Sequence, residues 1–408
     1  MPVKIRKPPI PDEYLVDNRV YTDPGLFHQE RQRIFLRVWN LVCHHSEIAA
    51  PGDYISTVAA GQPIVVCRNG DGEIKAFYNT CRHRAAEVVP QGCGNANVFM
   101  CMYHLWTYDL DGRLTGVPGK EAYTTSYNPD GLSAGDFGLI PVRTATAHGL
   151  VFVCFDDEAP GLDEFLGEAA DVLREPFGSP DLVVRPVRSE TVVANWKMQP
   201  ENSRDGYHAP LLHKRLRHVS PPRPYKILSN GHAVQFLGLD YERGLKHDTV
   251  DAELARDPDL TRKFMDYPLP GITRENPSYV ITLFPDTLIL VRFSTLMIQR
   301  QTPLGPGETL IDLKAGDLKG DTPSVREVRE RHWNLYWSDH SGNIPEDWAA
   351  YEAQQRGVES IGVRYSLMAR GEPADEGLRG DDNRLRSFWT AWRDHMGTDQ
   401  NAPPGADP

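Results

Sequence analysis

Short alternations of apolar and polar residues, separated by glycine turns, fill positions 40–155 and predict strands. Positions 62–68 and 73–79 flank Asn69-Gly70-Asp71-Gly72, the chemistry of a tight hairpin. A second hairpin is expected where 105–110 runs into Asp111-Gly112, and 149–155 reads as a buried strand closing a small antiparallel β unit. Ahead of that unit, Leu26, Ile34, Phe35 and Val38 fall at roughly helical spacing, which predicts a helix over 26–39.

After Asp156-Asp157 the texture changes: 162–173 is helix-like, 183–194 is strand-like, and 195–213 is polar and helix-compatible. Positions 280–300, rich in β-branched and aliphatic residues, read as a hairpin around Phe284-Pro285-Asp286-Thr287, with 301–308 as the next turn. Thr322-Pro323 supply an N-cap and first helical residue for a helix to about Trp337, and Ile344-Pro345 open another that stops at Gly357. The expected fold class is therefore α+β: a small antiparallel β domain over 40–155, preceded by a helical segment over 1–39 and followed by a larger mixed domain over 156–398 in which helices cover an antiparallel sheet. The proline-bearing stretches between Pro221 and Ser278 read either as a lid or as surface connections, and 399–408 as a disordered tail.

A length of 408 residues suits two or three domains, and 40% hydrophobic with 25% charged residues is ordinary for a soluble protein. The net charge of −12 argues against broad electrostatic binding to nucleic acid or anionic membranes. The basic N-terminus runs into Pro9, Pro11, Asp12 and Glu13 without an apolar stretch, so no signal peptide is readable. The longest apolar run, 149–155, is far short of the ~18 residues of a membrane span, and a cytoplasmic location is expected. Six cysteines in such a chain favour thiols or metal ligands over a disulfide framework.

Cys81-Arg82-His83 is followed, after 17 residues, by Cys101-Met102-Tyr103-His104, giving C-x-H-x17-C-x2-H. Each half offers one thiolate and one imidazole, which is what an asymmetric [2Fe–2S] cluster needs when two cysteines hold one iron and two histidines the other. A tetrahedral zinc site from the same four residues is the alternative, although zinc fingers usually pair Cys with Cys and His with His.

Further on, Glu201-Asn202-Ser203-Arg204-Asp205-Gly206-Tyr207-His208 leads to Pro210 and His213, the pattern D-x2-H-x4-H. On a helix Asp205 and His208 share a face, whereas His208 and His213 would diverge by about 140°. Pro210 disfavours helix through residue 209, so a turn there is expected to bring His213 back toward His208. Two imidazoles and a carboxylate with open positions form the facial triad of non-haem iron(II) oxygenases. Taken alone, the histidine pair fits a surface or packing role as well.

Phe77-Tyr-Asn-Thr-Cys-Arg-His-Arg and Cys101-Met-Tyr-His-Leu-Trp-Thr-Tyr-Asp-Leu-Asp-Gly-Arg-Leu resemble the Rieske non-haem iron oxygenases, specifically the large (α) subunit of aromatic-ring-hydroxylating dioxygenases. The match continues through Leu283-Phe-Pro, Gln301-Thr-Pro-Leu-Gly-Pro and Arg386-Ser-Phe-Trp, spanning roughly 40–395. The family usually has proline where Met102 stands and glycine where Leu105 stands, and neither is a ligand. The resemblance implies a Rieske domain over 40–155 and a catalytic mononuclear iron domain over 156–398. Cys81 and Cys101 would hold one cluster iron, and His83 and His104 the other. His208 and His213 would bind the mononuclear Fe(II), with Asp347 as the third ligand and Glu346 as its nearest rival. Asp205 would bridge an iron-ligand histidine to a cluster histidine of the neighbouring subunit. Glu201 and Asn202 would be supporting polar residues.

The same resemblance implies O2 as co-substrate, electrons from NAD(P)H delivered through a reductase or ferredoxin, and a homotrimer with or without a small β subunit (α3β3). Its end segment resembles the branch acting on aromatic carboxylates such as terephthalate, salicylate or anthranilate. A carboxylate substrate needs a cation in the pocket, and Arg292, which interrupts an apolar strand, and Arg386 are the candidates. The rivals are a Rieske monooxygenase or demethylase and, from another class, a Rieske electron carrier or zinc-stabilised binding protein. Cys43-His44-His45 reads as packing, and the basic run Lys214 to His218 as a solvated face or a contact for an acidic electron carrier.

Overall fold

Asn69 builds the first hairpin: its Oδ1 accepts from the amides of Asp71 and Glu73, and Gly72 supplies φ +85°. The strands it joins, Gln62–Arg68 and Ile74–Tyr78, pair with Val65 opposite Phe77. The structure, a computed structural model, describes residues 7–213, 224–236, 257, 259–273, 278–341, 343–378 and 380–398. Two compact units divide the chain, Leu36–Leu162 and a second made of Met1–Phe35 with Asp163–Pro408.

In the first unit a seven-stranded antiparallel sheet runs in the order Asn40–His44, Leu150–Cys154, Pro141–Ala147, Ile74–Tyr78, Gln62–Arg68, Asp53–Ala59, Gly92–Asn95. Alternate residues of Gln62–Arg68 enter two cores. Val65 and Cys67 pack with Phe77, Phe99, Trp106 and Tyr108, whereas Ile64 and Val66 pack with Val42, Val151 and Val153. A strand buried on both faces reads as a continuous apolar run, as this one does. The second hairpin is narrower than its sequence suggests: Thr107–Tyr108 pairs with Phe99–Met100 and Leu114–Gly116 in a three-stranded sheet.

The helix expected over 26–39 is shorter. Asp23 caps Pro24–Glu30 by accepting from the amides of Gly25 and Leu26, and the chain then widens into a π-type turn over Arg31–Phe35.

The second unit holds an eight-stranded antiparallel sheet ordered Leu182–Val192, Glu308–Leu318, Thr295–Gly305, Thr287–Arg292, Ser278–Leu283, Ala233–Phe236, Pro224–Ile227, Glu376–Leu378. Positions 280–300 make two hairpins instead of one, because the chain also turns at Phe293-Ser294, which carries no glycine, asparagine or proline to announce it. The strand Thr295–Gly305 runs on through most of the expected 301–308 turn. Residues 162–173 are interrupted at Gly167, where φ is +47° and a Cβ would lie 2.4 Å from Ser229 Oγ, so Leu162–Leu166 and Ala169–Phe177 are separate helices. Thr322 accepts from Val325 N at the start of Pro323–Trp337. Helices Asn343–Val358 and Asn383–Met396 follow.

A buried polar network anchors the helix Met198–Arg204. Trp389 Nε1 and Tyr21 Oη donate to Glu201 Oε1, while Trp196, Trp392 and Lys197 donate to Glu30. Such buried charges are tolerable because each is hydrogen-bonded from several elements. No helix among the described residues is long and apolar enough to cross a membrane. The basic run 214–218, parts of the proline-bearing stretch after Pro221 (221–223, 237–256, 258 and 274–277) and the tail 399–408 lie outside the described residues.

Candidate functional site

Cys81 and Cys101 each open a loop with the same backbone plan. Cys81 N donates to Ala86 O at 2.8 Å and Ala85 N to Cys81 O at 2.9 Å; Cys101 N donates to Trp106 O and Leu105 N to Cys101 O, both at 2.9 Å. Each loop closes through a left-handed residue, Ala85 at φ +59° and Leu105 at φ +57°. Leu105 thus adopts a conformation that favours glycine, and the loop forms despite that strain.

Both cysteines are buried free thiols, and the rings of His83 and His104 lie 4.5 Å apart. His83 stacks on Trp106 at 4.9 Å, its Nε2 lies 3.4 Å from Tyr123 Oη, and its Nδ1 is buried without a partner. Tyr108 Oη lies 3.3 Å from Cys81 Sγ and accepts from Arg82 N. Burial, then the Cys81 thiol, raises the Tyr108 phenol, so it stays a donor toward sulfur.

Two thiols and two imidazoles with an orphaned ring nitrogen fit a [2Fe–2S] group. Among the described residues, the set of His, Cys, Asp and Glu side chains whose ligand atoms converge within 4.8 Å is a different one, so these four are not drawn onto a single point as one zinc ion would require.

That convergent set is His208, His213 and Asp347. The helix Met198–Arg204 ends at Asp205, whose ψ of 95° turns the chain before Pro210 is reached. Pro210 therefore does not break a helix; it sits in the first turn of a new one, Ala209–Leu212, and residue 209 is helical. His208 and His213 flank that single turn, with ring centroids 5.2 Å apart. Asp347 enters from the first turns of Asn343–Val358, with Oδ1 3.3 Å from His213 Nε2 and 3.7 Å from His208 Nε2.

The other ring nitrogens are also held. His208 Nδ1 lies 2.5 Å from the Asp205 carbonyl, and His213 Nδ1 lies 3.1 Å from Glu346 Oε2. Asn202 Nδ2 donates to Asp347 Oδ1 at 3.1 Å. The Asp205 carboxylate stands back from His208 at 3.9 Å and accepts from Tyr207 N. Burial depresses His208 against the pull of Asp347 and Asp205. Burial opposes charge on His213 too, but Asp347 and Glu346 outweigh it and raise that imidazole.

A cavity of about 110 Å³ opens beside these three residues. Its floor is one face of the large sheet. Gln235, Val280, Leu290 and Met297 lie opposite one another across four strands, with Leu288 and Gln299 in one adjoining row and Arg292 in the other. Arg292 is buried, its Nη1 donates to Ser278 Oγ and Val291 O, and its guanidinium sits 5.9 Å from the Tyr336 ring.

Arg386 does not line this cavity. Its donors are taken by the carbonyls of Met368, Arg370 and Gly371 and by Asn383 Oδ1, which makes it a brace for the chain before Asn383–Met396. His44 caps the turn that follows it, in line with packing for Cys43-His44-His45. Gln235 and Asn343, which also line the cavity, carry no motif by which the sequence alone could have singled them out.

Residues 38–128 match the family model for the Rieske [2Fe-2S] domain and residues 170–398 that for the ring hydroxylating alpha subunit (catalytic domain). The chain is 33% identical to the 2-aminobenzenesulfonate 2,3-dioxygenase subunit alpha of Alcaligenes sp., covering 95% of each chain. It is 30% identical to the terephthalate 1,2-dioxygenase terminal oxygenase component subunit alpha 2 of Comamonas sp., over 94% of this chain and 95% of the relative. Its fold matches the naphthalene 1,2-dioxygenase of Rhodococcus sp. with TM-score 0.78 at 23% identity, covering 94% of both. An electron carrier or zinc-stabilised binding protein would have no use for the second of these domains. With cluster loop, convergent triad and both family models in one chain, the protein belongs to the ring-hydroxylating oxygenase alpha subunits, which use a [2Fe–2S] cluster, mononuclear iron, O2 and reductase-supplied electrons.

Proposed function

We propose that this terminal oxygenase hydroxylates the ring of a small aromatic acid whose carboxylate or sulfonate is bound by Arg292. The observation that carries the reading is the cavity: an apolar sheet face for a ring, a three-residue ligand set beside it, and a buried guanidinium in its lining. The planar fork of a guanidinium matches the oxygens of an acid group. At about 110 Å³ the cavity is of the order of the ~150 Å³ void that accepts benzene in a protein core. Relatives named for 2-aminobenzenesulfonate and terephthalate support an acid substrate.

In this reading His208, His213 and Asp347 hold the mononuclear iron, and Cys81, Cys101, His83 and His104 hold the cluster. When bound, the iron supplies dioxygen activation with electrons that originate in NAD(P)H and arrive through a reductase or ferredoxin and the cluster. The chain's own residues do the rest. Glu346 and the Asp205 carbonyl hold the ring orientations of His213 and His208, and Asn202 holds Asp347. Val280, Leu290 and Met297 exclude water and hold the arene, while Arg292 orients its acid group.

The Asp205 carboxylate, partly exposed and not spent on His208, suits a bridge to a cluster histidine of the neighbouring subunit in a homotrimer. The exposed Met102, Tyr103 and Leu105 at the cluster loop suit burial in that assembly, which a small β subunit would complete as α3β3.

Oxygen uptake and product analysis with a reductase, across benzoate, benzenesulfonate, terephthalate and neutral toluene, test the reading. Turnover of acids to hydroxylated products is expected, with toluene poor. Arg292→Met is expected to cost the acids about 1.5–3 kcal/mol, roughly 10–150-fold in kcat/KM, with iron retained. Equal use of toluene, or acids indifferent to Arg292→Met, would contradict it.

A further inference from the structure

We propose that Arg370 is a positioning residue for electron entry: stacked on Tyr207, it holds the turn that presents the Asp205 carboxylate to a cluster histidine of a neighbouring copy. The inference rests on the reading of Asp205 as that bridge and names the residue that sets it.

A second cavity, of about 420 Å³, lies against the ligand set. Asn202, Asp205 and His208 line both this cavity and the substrate cavity, so the segment from 202 to 208 is the wall between them. Tyr207, Arg370 and Asp382 line only the second cavity. Tyr207 is half exposed, so this side of the wall can be reached from outside the chain.

The wall needs an outside hold here. The helix Met198–Arg204 has ended, Ala209–Leu212 has not begun, and Gly206 gives the backbone between Asp205 and Tyr207 the widest choice of conformations. Asp205 Oδ1 accepts from Tyr207 N at 2.8 Å, so the carboxylate follows the Tyr207 backbone. The centre of the Arg370 guanidinium lies 3.4 Å from the Tyr207 ring centroid, which places the planar cation directly on the face of that ring.

Arg370 is itself pinned. Its N donates to Asp382 Oδ2 and its carbonyl accepts from Asp382 N, both at 2.8 Å, and Arg386 Nη1 donates to the same carbonyl at 3.1 Å. Asp382 is buried at the start of Asn383–Met396, so the stack ties the Asp205 turn to a long helix. Burial raises the Asp382 carboxyl and the Asp205 charge raises it further, against the Arg370 amide and guanidinium. The cation thus also offsets a repulsion that would turn the Asp205 carboxylate away.

The test is a single turnover on holoenzyme whose cluster has been reduced with dithionite, which removes any part played by the reductase. Cluster reoxidation by O2 is followed by absorbance with the compound of the panel above that wild type turns over fastest. Arg370→Met and Tyr207→Leu are each expected to slow reoxidation by about 10–100-fold, and the double variant to be no slower than either. Tyr207→Phe, which keeps the ring, is expected to stay close to wild type. Iron and sulfide per chain, cluster midpoint potential, assembly size and anaerobic substrate Kd are expected to be unchanged. Arg370→Lys, which keeps the charge but loses the planar stack, replaces the methionine variant if that one fails to load.

Reoxidation at the wild-type rate in Arg370→Met, or slowing that comes only with lost iron, lost assembly or weakened substrate, overturns the inference. If Asp205→Asn is slow while Arg370→Met is not, the bridge reading stands without the clamp. If Asp205→Asn is as fast as wild type, both fall.

Discussion

Asp347 and Glu346 are neighbours on one helix, and because successive helical residues diverge by about 100° they cannot both face the same point. Asp347 Oδ1 faces the Nε2 atoms of both histidines, whereas Glu346 reaches the Nδ1 of His213. In the proposed reading the two carboxylates therefore part into ligand and orienting group. Glu346→Gln is expected to keep the iron but lower metal affinity or activity by roughly 10–100-fold, and Asp347→Ala to lose mononuclear iron while cluster absorbance persists. Iron titration of the two variants checks this, and equal loss in both would contradict it. The choice of Asp347 over Glu346 came through resemblance, but the contact of Glu346 with His213 Nδ1 was not legible, since it depends on where His213 returns after a turn that begins at Asp205. Arg292 was legible as a cation in an apolar strand, while Arg386, which looks equivalent in sequence, is consumed by backbone carbonyls that only the fold brings to it.

Elements hold the site through contacts between distant segments. His232 is fully buried between Phe165 O and Phe284 N, both at 2.9 Å; its Nδ1 accepts from the amide, so it must be neutral. Burial, reinforced by the nearby Arg204 charge, pulls it down to about 4 from the ordinary 6.5. A folded-state value below the unfolded one means the unfolded chain binds the proton first. Its contribution is thus complete above pH 6.5 and is lost as pH falls from 6.5 toward 4, at most about 3 kcal/mol. Denaturant unfolding between pH 7 and pH 4.5 is expected to show this acid loss, and His232→Asn to flatten the slope in that window. Gly167→Ala is expected to lower stability by about 1 kcal/mol or more, read as Tm, because φ +47° is strained for any residue with a Cβ and the Ser229 hydroxyl must also turn away from a methyl group there. The cap at Thr322-Pro323 and the Asn69 turn were readable because their chemistry is local. The split at Gly167 and the turn at Phe293-Ser294 were not, because helix periodicity and strand propensity continue across both.

The whole molecule separates a cluster domain from a catalytic domain, as in the alpha subunits of multicomponent oxygenases. If electrons cross between subunits by way of Asp205, chains carrying Cys101→Ser and chains carrying His213→Ala, each inactive alone, regain activity when co-expressed; silence of the mixed assembly would remove the inter-subunit route. Asp205→Asn should slow turnover while both metal centres stay loaded. One chain is expected to carry both centres, the cluster on Cys81, His83, Cys101 and His104 and the mononuclear iron on His208, His213 and Asp347. Iron and acid-labile sulfide per chain are measured on anaerobically purified wild type and on His213→Ala. About three irons to two sulfides in wild type, falling to about two to two in His213→Ala, is the expected result. About two to two in wild type, with no further iron taken up on adding Fe(II), would contradict it.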